Sequence, residues 1–164
     1  MRILMSAALA TAALALSSVS ALAQESDGVH VYAGIGGGVT KSKKESLGLF
    51  QARAGVQINP YVGLEADYEH GTSGNPRLGN TFAGYVVATA PLGDFDVFGR
   101  VGYGSLSVTV KDTNNKWYSA SKSEATYGIG TRYHFSPEDA VRFDVTRFGK
   151  LADAGFTLTY EHTF

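Results

Sequence analysis

The 164-residue sequence contains no cysteine, only four prolines and a single tryptophan. Small exported domains usually depend on disulfides because their cores are thin, so a chain without cysteine needs another source of stability. Beyond residue 23 no run of about 20 apolar residues occurs, and this excludes a membrane-spanning helix there. Neither sign of charge dominates, since 14 Lys and Arg stand against 15 Asp and Glu. That balance argues against nucleic acid as a partner.

The first residues have the pattern of an export signal. Met1-Arg2 is a short positive start, residues 3–16 are almost continuously apolar, and Ala21-Leu22-Ala23 is an A-x-A cleavage pattern. The apolar run is too short to span a membrane as a helix. The sequence therefore predicts a cleaved signal peptide over residues 1–23 and a mature domain over residues 24–164.

The rest of the chain alternates between apolar and polar residues with a period of two. In a β-strand this period places successive side chains on opposite faces. Strand 80–91 is apolar on both faces, so its orientation stays open. The alternation predicts eight strands: 29–39, 49–58, 61–70, 80–91, 94–110, 124–135, 140–148 and the last ten residues.

The connections between these strands alternate in character. Asn59-Pro60, residues 91–94 and residues 136–139 are tight, proline-containing turns of the kind that join hairpins. Short turns on one side and longer polar loops on the other are typical of a transmembrane β-barrel. With both ends of the domain on the turn side the strand number is even, and eight satisfies this. The four longer or more polar connections are 40–46, 71–80, 111–122 and 149–154.

One face of the predicted strands carries charges of both signs. A planar guanidinium pairs well with buried carboxylates, whereas the strongly hydrated ammonium of lysine prefers water. Because an eight-stranded barrel is just wide enough for its own side chains, we expect an interior ion-pair network that plugs the lumen. For Arg132 the expected partners are among Glu65, Asp67, Glu124 and Asp144. The network is predicted to comprise Arg53, Glu65, Asp67, Glu69, Arg100, Glu124, Arg132, Arg142 and Asp144.

The lysines fall in the predicted loops or at their edges. Eight basic residues of these segments oppose only Glu45, Asp112 and Asp153, so the outer rim is basic. Such a rim is either an ordinary solvated surface or a contact for the phosphates of lipopolysaccharide and for other anionic polymers. The lysines assigned to this rim are Lys41, Lys43, Lys44, Lys111, Lys116 and Lys122.

The last residues supply a family resemblance. The chain ends with Phe156, Leu158, Tyr160, His162 and Phe164 at alternate positions. This pattern resembles the C-terminal assembly signal of outer-membrane barrels, although His162 stands where such signals commonly have an aromatic residue. With its glycine-rich first strand, the chain is similar to the small outer-membrane β-barrel family typified by the OmpA transmembrane domain and OmpX.

The resemblance implies a location and a set of assembly partners. The location is the bacterial outer membrane, and the partners are its lipid and lipopolysaccharide, the barrel assembly machinery and periplasmic chaperones. The expected state is a monomer that binds no nucleic acid and no cofactor.

The sequence favours a structural or surface-interacting protein over an enzyme. His70-Gly71-Thr72-Ser73 resembles the His-x-Ser-Asn-Ala motif of a lipid A deacylase only loosely, because the match breaks at Thr72 and Gly74. An acyl-transfer site also needs an orienting acid, and Glu69 points to the opposite face from His70. No His-x-x-x-His spacing indicates a metal site. We therefore predict no catalytic or metal site, with a lipid A-modifying enzyme and a narrow ion channel as alternatives.

Overall fold

The computed structural model describes residues 28–42, 45–73, 77–111, 117–149 and 152–164. Within these ranges no helix is long and apolar enough to cross a membrane. The described residues form eight long strands and one strand of two residues. In chain order these are β1 (His30–Ser42), β2 (Glu45–Asn59), β3 (Val62–Gly71), β4 (Arg77–Leu78), β5 (Asn80–Leu92), β6 (Phe95–Lys111), β7 (Trp117–His134), β8 (Asp139–Phe148) and β9 (Ala152–Thr163).

The eight long strands close into a barrel. Each pairs antiparallel with the long strand next to it along the chain, and β1 also pairs with β9, so the sheet returns to its starting edge. The short β4 pairs only with β6, at the loop end of the barrel. The predicted eight-stranded up-and-down barrel is therefore confirmed, while the predicted signal peptide over residues 1–23 lies outside the described residues.

The barrel wall is apolar on the outside and polar on the inside. Ile35, Phe82 and Ile129 point outward with 60 to 68% of their surface exposed. Arg142 and Asp144, which point inward, are fully buried. A water-soluble barrel would show the opposite arrangement, and an apolar outer band is what a barrel in a bilayer presents to lipid.

The structure settles the orientation of β5, which the alternation leaves open. Ala83, Tyr85 and Val87 point into the lumen, whereas Phe82 and Val86 are exposed on the outer wall. The inward set packs in one apolar cluster with side chains of β6 and β8. Tertiary packing thus decides a strand whose two faces are both apolar.

Several strands extend farther toward the loops than the alternation predicts. β7 begins at Trp117 rather than near residue 124, and β2 begins at Glu45 rather than near residue 49. The ladder between β6 and β7 continues to the pair Lys111 and Trp117. Backbone hydrogen bonds hold a hairpin together whatever its side chains are, so a strand can continue beyond the point where the apolar alternation ends.

Glycines allow β1 to close tightly against β9. A Cβ added at Gly36 would collide with the backbone at Leu158, and one added at Gly38 would collide with the backbone at Phe156. Strand glycines often mark such close approaches of two backbones. The glycine-rich segment of β1 therefore allows close approach of β1 and β9, the two strands that close the barrel.

Candidate functional site

The centre of the lumen is occupied by an ion-pair network that crosses from one wall to the other. Arg53 of β2 binds Asp67 bidentately, with 2.7 Å from Nε to Oδ1 and 2.8 Å from Nη2 to Oδ2. Its Nη1 reaches Asp144 of β8 at 3.1 Å. Arg142 binds Asp144 through Nη2 at 2.9 Å and donates through both terminal nitrogens to Glu65 of β3. Side chains from three strands thus share one network.

Arg100 joins the same network from β6. Its Nη1 lies 2.7 Å from Asp67 Oδ2 and 3.4 Å from Glu65 Oε2, and its Nε lies 3.6 Å from Asp144. The guanidinium also lies 4.3 Å from the centre of the Tyr85 ring. A planar guanidinium can bond at its edge while its face stacks on an aromatic ring, which a lysine cannot do.

Aromatic side chains make further contacts with the charged groups of the network. The guanidinium carbon of Arg142 lies 3.8 Å from the centre of the Phe98 ring, and the Tyr32 hydroxyl donates to Glu65 Oε1 at 2.6 Å. The Tyr32 ring lies directly over Gly55, where a Cβ would collide with it. Gly55 on β2 therefore leaves space for the ring of Tyr32, whose hydroxyl group binds the carboxylate of Glu65 on β3.

The network is removed from water. The side chains of Arg53, Glu65, Arg100, Arg142 and Asp144 have 0% relative exposure. Burying such charges costs several kcal/mol per ion, and only close pairing with further hydrogen bonds offsets that cost. The five side chains therefore depend on each other, and together with Asp67 they fill the middle of the lumen.

A second group of charges lies at the turn end of the lumen. Arg132 Nε lies 2.8 Å from Glu161 Oε2, and Arg132 Nη1 lies 3.3 Å from Asp96 Oδ2. His134 Nε2 lies 2.8 Å from the same Asp96 oxygen. The expectation that Arg132 pairs with Glu65, Asp67, Glu124 or Asp144 is therefore wrong. Alternation gives the face of a side chain but not its height in the barrel, which depends on the stagger of the strands.

The two remaining acids of the predicted network lie toward the loops. Glu69 is buried and accepts a hydrogen bond from Gln51 at 3.4 Å, but it forms no ion pair with an arginine among the described residues. Glu124 is 18% exposed and forms a 2.6 Å ion pair with Lys122. Both thus stand apart from the central arginines. The same end of the lumen holds an apolar cluster of Leu47, Leu49 and Leu106.

The predicted rim lysines occupy different environments. Lys41 belongs to β1 and is exposed, and Lys122 belongs to β7 and pairs with Glu124. Lys111 ends β6, but its side chain lies outside the described part of the structure, as do the whole residues Lys43, Lys44 and Lys116. Lys41 and Lys122 therefore lie on strands rather than in loops, because the hairpins extend beyond the apolar band.

Arg147 is a cation that the sequence analysis did not assign to the rim. It belongs to β8 and is exposed, while its neighbours Thr146 and Phe148 are buried in the lumen. It lies an even number of residues from Phe143, so it shares the outer face with Phe143 and not the inner face with Arg142. The period-two alternation of β8 already places it on the outer face, and this assignment needs no tertiary information.

The C-terminal residues form a polar cluster at the turn end of the outer wall. The Tyr160 hydroxyl donates to Asp139 Oδ1 at 2.5 Å, and His162 Nδ1 lies 2.8 Å from the same oxygen. Phe164 stacks edge-on against His162 at 5.0 Å and donates its backbone N–H to Val31 at 2.9 Å. The histidine that departs from the usual aromatic pattern thus ties β9 to the first residue of β8.

His70 lies on the outer wall at the loop end of β3. It is exposed, and its Nδ1 lies 2.8 Å from Asn80 Oδ1, to which Tyr68 also donates at 3.2 Å. Glu69 points into the lumen, so it cannot orient this imidazole. In the described residues no group of three or more acidic or histidine side chains is arranged to hold a metal ion.

Comparison with known proteins identifies the family. The family model of the outer membrane protein beta-barrel domain matches residues 9–163. The chain belongs to this family. The family and the structural neighbours of this outer-membrane barrel indicate the bacterial outer membrane as its location. No curated protein matches it in sequence.

Solved structures share the fold of this outer-membrane barrel. The N-terminal β-barrel domain of Pseudomonas aeruginosa OprF is 13% identical, with a TM-score of 0.67. The match covers 82% of this chain and 97% of that chain. Ail, the attachment invasion locus protein of Yersinia pestis, is 12% identical, with a TM-score of 0.60 and coverages of 83% and 97%. Neisserial surface protein A is 15% identical, with a TM-score of 0.57 and coverages of 84% and 98%.

Aromatic residues mark the two edges of the outer-membrane barrel wall. At the turn end Phe95 and Tyr133 are exposed, with ring centres 4.7 Å apart. At the loop end Tyr68 and Phe82 form a similar pair at 5.0 Å. Aromatic girdles at both interfaces are characteristic of outer-membrane barrels, so these pairs indicate where the apolar band begins and ends.

Proposed function

We propose that this protein is a non-enzymatic, monomeric outer-membrane barrel that acts through its surfaces. In this proposal it has a structural role in the envelope, and its basic extracellular rim contacts lipopolysaccharide. The observation that carries the proposal is the filled lumen. Arg53, Arg100 and Arg142 with their carboxylate partners occupy its middle and are excluded from water, so the outer wall and the rim are the surfaces available to a partner.

The charge of the rim supports an anionic partner. Among the residues that contribute to it, Lys41 and Arg147 are exposed cations at the loop end of the wall. Cations at a membrane surface attract phosphate groups, and a diffuse rim of this kind acts mainly through long-range attraction. One structural neighbour, Ail, was crystallised with the heparin analogue sucrose octasulfate, a polyanionic sugar.

The two alternatives have less support from the geometry. A narrow channel would need a path through the central network, where the five most buried charged side chains have no exposure. A lipid A-modifying enzyme would need an acid to orient His70, and Glu69 is on the other side of the wall. His70 instead contacts Asn80.

The proposal is tested by binding of lipopolysaccharide to the refolded mature protein in phosphatidylcholine nanodiscs. We expect saturable binding that weakens as salt rises, because attraction at an exposed surface is screened over roughly 8–10 Å at ordinary ionic strength. The triple variant Lys41→Gln, Lys43→Gln and Lys44→Gln should bind more weakly at low salt. Its stability should change little, since each exposed charge contributes only about 0–1 kcal/mol.

Two controls make this experiment decisive. Lys122→Gln removes a rim lysine that is already paired with Glu124, so it should weaken binding less than the triple variant does. The mass spectrum of the lipid A recovered after incubation should be unchanged. Absence of binding by the parent protein would refute the proposal, and loss or gain of an acyl chain would favour the enzyme.

A further inference from the structure

Two cations face the lipid rather than the lumen, on either side of β9. Lys41 of β1 is exposed, and its Nζ lies 5.6 Å from the centre of the Phe156 ring. Arg147 of β8 is exposed and is the register partner of Tyr127, which lies on the outer wall with 49% exposure. Both cations therefore extend from the outer wall toward the space that membrane lipid occupies.

The strand register places these cations on either side of one position of β9. Val39 of β1 and Val145 of β8 are both register partners of Phe156 on β9. Lys41 and Arg147 each follow two residues farther toward the loops, on the same face as those valines. Since they are separated by two interstrand spacings of about 4.8 Å, their backbones lie roughly 10 Å apart.

The strand between the two cations presents a small side chain. β9 presents Ala154 opposite Lys41, and the register between β8 and β9 shifts between Thr146 and Phe148. A methyl side chain therefore lies between the two long cationic ones. Phe156 and the apolar outer wall continue from it toward the bilayer centre.

Neither cation has a carboxylate partner among the described side chains, whereas each arginine of the lumen has one. An unpaired charge next to hydrocarbon is costly unless an anion accompanies it. Lys41 and Arg147 lie at the loop end, where the headgroups of the outer leaflet begin. The anion that this position supplies is the phosphate of an outer-leaflet lipid.

We infer that Lys41, Arg147 and Phe156 form a binding site for a phosphorylated glycolipid of the outer leaflet. The guanidinium of Arg147 binds two phosphate oxygens, and the ammonium of Lys41 binds the same group from the other side of Ala154. The first part of an acyl chain packs along Phe156 and Leu158, which is 58% exposed. This inference rests on the proposed contact with lipopolysaccharide and assigns it to one place on the wall.

The site is tested by measuring the affinity of the protein in nanodiscs for diphosphoryl lipid A and for the same lipid after its phosphates have been removed. We expect the parent protein to bind the phosphorylated lipid preferentially. The double variant Lys41→Gln with Arg147→Gln should lower that affinity at least about tenfold, as loss of charged hydrogen bonds implies. Lys41→Arg should retain most of it.

A matched double variant, Lys43→Gln with Lys44→Gln, removes the same charge from residues that follow closely in the sequence. Each variant is checked for folding by its heat-modifiable mobility in gels. Equal loss of affinity in the two double variants, or loss in the loop variant alone, would overturn the wall site and leave the proposed function standing. A parent protein that binds neither lipid A nor whole lipopolysaccharide would refute both.

Discussion

Glu69 and Thr81 face each other across β3 and β5 inside the lumen, and each retains a buried side-chain oxygen that has no hydrogen-bond partner among the described residues. Glu69 lies next to Asp67, whose oxygens are already bound by Arg53 and Arg100. An unpaired buried carboxylate is costly, because it loses water without gaining a cationic partner. Glu69 is therefore a neighbour of the network rather than one of its ion-pair members.

This difference predicts effects of different size on stability for two similar substitutions. Glu69→Gln should leave the free energy of unfolding within about 1 kcal/mol of the parent value or raise it, because no ion pair is broken. Glu65→Gln should lower it by about 3–5 kcal/mol, because Arg142 would lose a buried partner. Urea unfolding of the refolded proteins in lipid vesicles at pH 7 measures both. Equal losses in the two variants would contradict the assignment of Glu69.

Arg132 should matter through Asp96 and Glu161 at the turn end of the lumen. Arg132→Gln leaves Asp96 without an arginine and removes one of the three arginines around Glu161, so it should lower the free energy of unfolding by about 3 kcal/mol. Lys122→Gln is the matched loss of one positive charge, from a side chain that is 64% exposed, and should cost about 0–1 kcal/mol. If the two variants unfold alike, the ion pairs at the turn end contribute no more than a surface pair.

The C-terminal cluster should govern assembly rather than export. Deletion of Phe164 removes the ring that packs on His162 and the N–H that bonds Val31, so β1 and β9 close less well. We expect normal export but a sharply lower fraction of the folded, heat-modifiable form in outer membranes.

Asp139→Ala should act in the same direction, because it removes the acceptor shared by Tyr160 and His162. Leu92→Ala, a substitution at an exposed residue of the turn side, serves as the control. Normal folded levels in both the deletion and the Asp139 variant would argue against an assembly signal in these residues.

The filled lumen predicts the electrical behaviour of the purified barrel. The parent protein in planar bilayers should carry little or only fleeting current, because buried side chains occupy the path. The double variant Arg53→Ala with Asp67→Ala removes a pair together and so avoids an unmatched charge. It should show discrete conductance steps. Steady conductance of the parent protein would instead support the channel.

The sequence alone predicted the barrel and the face on which most charges lie. Period-two alternation is a local property, since each residue faces opposite to its neighbour whatever the rest of the chain does. It therefore places Arg53 and Arg142 on the lumen face and Phe156 and Leu158 on the outer wall without knowledge of any partner. The contrast between proline turns and polar loops is likewise a local feature of the sequence, and it predicted the strand number.

Only the tertiary structure decided which charges meet. The height of a side chain in the barrel depends on the stagger accumulated over all strands, so Arg132 pairs with Asp96 and Glu161 rather than with the acids expected for it. The same closure brings β1 beside β9 and places Lys41 and Arg147 on either side of it. Alternation determines which face of a strand each side chain is on. Contacts between strands depend on register and on closure of the barrel, and these are properties of the whole sheet.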